Sequence, residues 1–163
     1  MNQEYCTEVS ALNCPSLNSV SLKNCGLKKV SVKKRGFSKP LTLLSFGNGT
    51  VGMHNVSYAL DTNEMFVLAT PAEGESFIGW YADGALVSTE LEYKQTGGGK
   101  LYACYAGDAD GNGQINTVDA TLIMRAALGY GSSVDNLSML DVDVDGTVAV
   151  ADALAVARLA LGL

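Results

Sequence analysis

Apolar positions recur with two different periods along the 163 residues. Before residue 106 they alternate with polar ones in short runs: Val20 and Leu22, Val30 and Val32, then 41–46, 51–58, 64–69, 77–81, 85–88 and 101–105. Turn-forming clusters separate the later runs, at Gly47-Asn48-Gly49, Thr70-Pro71-Ala72-Glu73-Gly74, Asp83-Gly84 and Gly97-Gly98-Gly99. Short runs bounded this way predict strands, and six or so in succession predict a small all-β domain over 41–106. Asp83-Gly84 is the best hairpin turn, because both residues tolerate the positive φ that a type I′ turn requires. Beyond residue 107 the period becomes helical. Leu122, Ile123, Ala126 and Ala127 mark one helix and Leu154, Val156, Leu159 and Ala160 a second, with Gly129 and Gly162 as C-terminal caps.

The first forty residues carry a different signature. Leu17-x-x-Val20-x-Leu22-x-x-Cys25-x-Leu27 matches the leucine-rich-repeat template, and Val30 and Val32 repeat Val20 and Leu22 at an interval of ten. In such repeats a Cys packs inside the turn, so Cys25 and Cys14 are expected to be buried thiols. A repeat and a half cannot bury its own apolar face, which makes 1–40 the expected end of a longer array. The alternative is a pair of amphipathic strands belonging to the β domain that follows.

Charge is distributed unevenly. Residues 1–106 hold nine bases and nine acids, whereas 107–163 hold eight aspartates against Arg125 and Arg158, so the net −6 sits in the last third. Seven bases lie between Lys23 and Lys39 with only Phe37 among them as an aromatic. A solvated face explains them better than nucleic-acid binding does. No run of eighteen apolar residues is present to span a membrane. The chain opens Met1-Asn2-Gln3-Glu4 without a basic and apolar leader, which fits a cytosolic protein or a piece of a longer secreted one; the second is expected here. His54 is the sole histidine, so multi-histidine zinc sites are excluded and a catalytic triad would have to use this residue. With no carboxylate pair in a buried setting and no phosphate loop, no enzyme activity is expected.

Residues 69–81, ending in Gly79-Trp80-Tyr81, resemble the Gly-Trp-Tyr β repeats of bacterial cell-surface proteins. That resemblance implies a ubiquitin-like or short β-sandwich fold acting as a spacer or adhesive unit. Trp80 and Tyr81 offer a stacking platform for a sugar ring, giving a carbohydrate-binding or adhesive module as the alternative function. The plainer role for a lone tryptophan is to anchor the core.

The aspartates of the last third are spaced for a metal. In 108–119 and again in 141–152, oxygen-bearing side chains fall at loop positions 1, 3, 5 and 12, with Gly113 and Gly146 at position 6. This is the pattern of a calcium loop, in which position 7 contributes only a carbonyl. Aligning 108–130 with 141–163 gives nine identities, including Arg125 with Arg158, so the loop and its helix are duplicated. Ile115 and Val148, both at position 8, are placed to pair back to back and couple the loops. Two calcium ions would leave the segment near −2, which accounts for its acidity without a basic partner.

An ordinary EF-hand has a helix before its loop and Glu at position 12. Here the preceding 101–107 is strand-like and position 12 is Asp119 or Asp152. With the repeated Arg, these departures make 107–163 resemble the dockerin module of bacterial cellulosomes. The resemblance implies two Ca2+ ions, one held by Asp108, Asp110, Asn112, the Gln114 carbonyl, Asn116 and Asp119. The other would be held by Asp141, Asp143, Asp145, the Thr147 carbonyl and Asp152, in a weaker site because Ala149 breaks the pattern at position 9. It further implies a cohesin partner on a scaffoldin or cell-surface protein. Partner choice then falls to Thr117, Val118, Met124 and Arg125, or Val150, Ala151, Ala157 and Arg158. These pairs lack the Ser-Thr of many dockerins, in which the variant is similar to ruminococcal ones.

The expected fold is therefore multi-modular: a short leucine-rich-repeat end (1–40) and a small all-β domain (41–106), then an α-helical dockerin (107–163) of two F-hand loop–helix repeats. The expected protein is secreted, extracellular and cellulosome-associated, with calcium-dependent cohesin binding as its act, no nucleic acid or membrane, and polysaccharide contact through the β module as an open option.

Overall fold

A computed structural model describes residues 8–12, 21–23, 25–33, 37–54, 65–131 and 137–163. Nine strands appear among them: β1 (Glu8–Ala11), β2 (Lys29–Val32), β3 (Leu41–Phe46), β4 (Gly49–His54), β5 (Met65–Pro71), β6 (Gly79–Ala82), β7 (Ala85–Ser88), β8 (Glu92–Gln95) and β9 (Gly99–Cys104). Two helices follow, α1 (Thr117–Ala127) and α2 (Val150–Leu161), with a short 3-10 turn at Leu137–Met139 between them.

The strands form a six-stranded sheet, ordered β1-β2-β3-β9-β6-β7, and a three-stranded sheet, β4-β5-β8. In the larger sheet β1 runs parallel to β2 and β3 parallel to β9, while the other pairs are antiparallel. The alternation seen in sequence becomes two faces. Val30, Val32, Leu41, Leu43, Leu101 and Trp80 from the larger sheet meet Val51, Met53, Met65 and Val67 from the smaller in one buried core. The corner between β3 and β4 lets the chain pass from one sheet to the other at Gly47-Asn48. Asp83 and Gly84 have φ of 49° and 79°, as the type I′ turn requires, and join β6 to β7.

β2 is hydrogen-bonded to β3, and the Leu27 and Val51 backbones form a bridge. The described part of 1–40 is thus built into the β sandwich, as in the alternative of two amphipathic strands. Leu17, Val20 and Cys14 of the repeat template lie outside the described residues. Cys25 is exposed, a correction to the packing role expected of it: its thiol donates to the Lys23 carbonyl two residues back. β8 was not anticipated, because Glu92-Tyr93-Lys94-Gln95 is mostly polar; it stays in register as the edge partner of β5.

A second apolar cluster lies on the outer face of the larger sheet. Tyr81, Cys104 and Ala106 contribute to it from the sandwich, and Ile115, Ile123, Leu140, Val142, Val156 and Leu159 from the C-terminal third. That cluster positions the duplicated loops.

Candidate metal centre

β9 ends at Cys104, and the first acidic loop begins at Asp108 with no room for an entering helix. The loop is closed by its own carboxylates. Asp108 accepts from the N–H groups of Asn112 and Gly113 at 3.0 and 2.8 Å. Asp119, at the far end, accepts from Ala109, Asp110 and Asn116 N–H groups. Thirty-three residues later the set recurs: Asp141 accepts from Asp145 and Gly146, and Asp152 from Val142, Asp143 and Ala149. Sequence duplication is therefore structural duplication in the bonds that close the two loops. At position 6, Gly113 and Gly146 have φ of 81° and 90°, a region that a Cβ makes costly.

Carboxylate oxygens of Asp108, Asp110 and Asp119 lie within 4.8 Å of one another, as do those of Asp141, Asp143 and Asp145. Converging hard oxygens with a sharp glycine turn fit a calcium ion. Asp152 is not among the second trio; it is buried and bound by backbone N–H groups. Of the other expected ligands, Asn112 donates to Asp110, Asn116 caps α1, and the Thr147 hydroxyl donates to Asp145 at 2.7 Å. Burial raises the Asp119 carboxyl above the usual range, with Asp110 and Asp108 adding to the shift and the backbone N–H bonds opposing it. The Thr147 hydroxyl and N–H lower Asp145.

Both helices start on their loop's last residues. Asn116 accepts from Val118 N–H and Asp119 reaches back to Asn116 N–H, whereas Ala149 gives α2 no side-chain cap. Both end alike: Tyr130 N–H bonds the Arg125 carbonyl and Leu163 N–H the Arg158 carbonyl, with Gly129 and Gly162 left-handed. Arg125 and Arg158 sit in the last turns, where their charge suits the helix dipole. The Ile115 N–H donates to Tyr81 Oη on the sandwich. Ile115 and Val148 pack in the same cluster.

Six of the candidate docking positions lie outside that cluster, whereas Met124 and Ala157 pack against it. Thr117, Val118, Arg125, Val150, Ala151 and Arg158 are exposed, and Met124 and Ala157 half-buried. Leu154 was expected on the buried face but is 47 % exposed, because only Val156 and Leu159 of its group turn inward. With Val150, Ala157 and Leu161 it forms a continuous apolar stripe at i, i+4, i+7 and i+11. That spacing was visible in the sequence; the face it would point to was not. On α1 the same stations hold Thr117, Thr121, Met124 and Leu128.

Trp80 and Tyr81 are 0 % and 2 % exposed, which corrects the sugar-stacking option: neither ring offers a face to a ligand. The Trp80 indole N–H is also committed, to the Glu90 carbonyl. His54 is buried, stacked on Phe66, with Nε2 3.5 Å from Glu92. No helix among the described residues is long and apolar enough to cross a membrane.

Residues 106–159 match the family model of the dockerin type I domain. No match is found among curated proteins or solved structures.

Proposed function

Starting from a dockerin module near the C-terminus, we propose that the chain is a binding protein. It docks onto a cohesin module in a calcium-dependent way, and so anchors a secreted parent protein to a cellulosome scaffold or cell surface. The observation that carries this reading is the pair of loops with one hydrogen-bond set repeated at a spacing of thirty-three residues, each converging three carboxylates. Asp108, Asp110, Asn112, the Gln114 carbonyl, Asn116 and Asp119 would hold one ion, and Asp141, Asp143, Asp145, the Thr147 carbonyl and Asp152 the other. Bound calcium supplies positive charge that offsets the repulsion among seven aspartates, so site energy becomes folding energy.

The chain's own residues do the docking. Asp119 and Asp152 lie within the first turns of α1 and α2, so closing the loops orients the helices. The faces so presented combine Val, Leu and Met with an Arg at the rim, a composition that suits a desolvated contact with a polar border. The missing Ser-Thr pair supports a ruminococcal-like partner preference. No catalytic role is assigned to the chain.

The test is a titration of the full chain against a panel of cohesins, ruminococcal ones included, in calcium and in excess chelator. At least one cohesin should bind in calcium and be released by chelator. Binding that ignores chelator, or no binding across the panel, would overturn the reading.

A further inference from the structure

Consecutive residues of a strand point to opposite faces of its sheet. On β6, Trp80 turns into the sandwich core while Tyr81 turns outward into the cluster shared with the acidic loops. There the Tyr81 Oη accepts the N–H of Ile115, at position 8 of the first loop, at 3.1 Å. The second loop is fastened at a different station: the Val142 carbonyl, at position 2, accepts from the Gly47 N–H at 2.9 Å. The lead-in segments are joined as well, with Gly107 N–H bonded to the Met139 carbonyl at 2.9 Å.

A third fastening lies at the far end of α2. The Asp83-Gly84 turn abuts it so closely that a Cβ on Gly84 would lie 2.7 Å from the Ala160 carbonyl oxygen. The sandwich therefore occupies the side of the first loop where an EF-hand has its entering helix, and it touches both halves of the duplication unequally.

We propose that Tyr81 is a positioning residue for the first calcium loop, and that sandwich and loops form one cooperative unit in which calcium binding stabilises the sandwich. This rests on the calcium reading above. Ile115 and Tyr81 are both buried, so removing the hydroxyl leaves a buried N–H without an acceptor, an imbalance that weakens the first site about tenfold. Coupling runs in both directions, because whatever binds the folded unit and not the unfolded chain raises the stability of every part that folds with it.

Trp80 is the only tryptophan and lies in the sandwich core, so its emission reports sandwich unfolding. Urea unfolding of the full chain is followed at Trp80 in calcium and in chelator, with calcium binding measured by calorimetry on the same preparation. The Trp80 midpoint should rise in calcium. Binding heat with an unmoved midpoint overturns the coupling, whereas absence of heat overturns the calcium reading instead. Tyr81→Phe should weaken one of two sites about tenfold and leave the other unchanged; two unchanged sites overturn the positioning role. Should that variant fail to fold, hydrogen exchange at the Ile115 amide of the wild-type chain in calcium decides: protection supports the contact, and free exchange overturns it.

Discussion

At position 4 of the loops, Gly111 and Val144 share a left-handed backbone, with φ of 72° and 62°. A β-branched residue is strained there, and Val144 is exposed, so no packing compensates. Val144→Gly should therefore stabilise the chain by about 1 kcal/mol and tighten the second site. Denaturation and a two-site calcium titration check it, and a variant no more stable than the parent would show the strain to be absent. Together with Ala149, which neither caps α2 nor supplies an oxygen, Val144 makes the second loop the less complete copy. The aspartate spacing displayed both sites in the sequence, and Ala149 stood out as a break in it. The strain at Val144 did not, because a residue type does not announce its φ.

The two helices share a closing bond and a terminal arginine, yet differ on the outward face. Val150, Leu154, Ala157 and Leu161 of α2 stand against Thr117, Thr121, Met124 and Leu128 of α1. Desolvation favours the wholly apolar stripe, so one docking orientation should dominate, with α2 central to it. Leu154→Asp with Leu161→Asp should reduce cohesin affinity at least tenfold more than Thr121→Asp with Leu128→Asp, while circular dichroism and calcium binding stay unchanged. Equal losses would contradict a single orientation. At this scale the β-hairpin was legible because Asp83-Gly84 encodes its own turn. β8 was not, because an edge strand of charged residues is held by its partner's register and not by its own pattern.

Across the whole molecule, burial holds several acids neutral. It pushes the Cys104 thiol well up, raises Tyr81 despite the opposing Ile115 N–H, and raises Tyr105, which is tied to Thr50 and Thr70. Acids whose folded pKa is raised contribute stability that is full below their unfolded values, about 8.5 for Cys and about 10 for Tyr, and lost as pH climbs beyond them. Half-buried Lys28, lowered by desolvation, acts in the opposite sense in that alkaline range. Among the described residues, three such groups against one predict a urea midpoint that falls above about pH 9. A midpoint unchanged from about pH 7 to about pH 10.5 would argue against it.

What the sequence determined by itself was local: loop stations for oxygen and glycine, helix period and caps, the type I′ turn, and the duplication that made the last third resemble a dockerin. Each depends on contacts within about a dozen residues, so spacing alone carries it. Tertiary structure decided which face each residue serves. It took Trp80 and Tyr81 out of reach of any sugar, joined β2 to the sandwich, left Cys25 in solvent, and gave the Ile115 N–H to Tyr81. Those outcomes turn on which distant apolar surfaces meet, and one strand's alternation cannot say what lies across either of its faces.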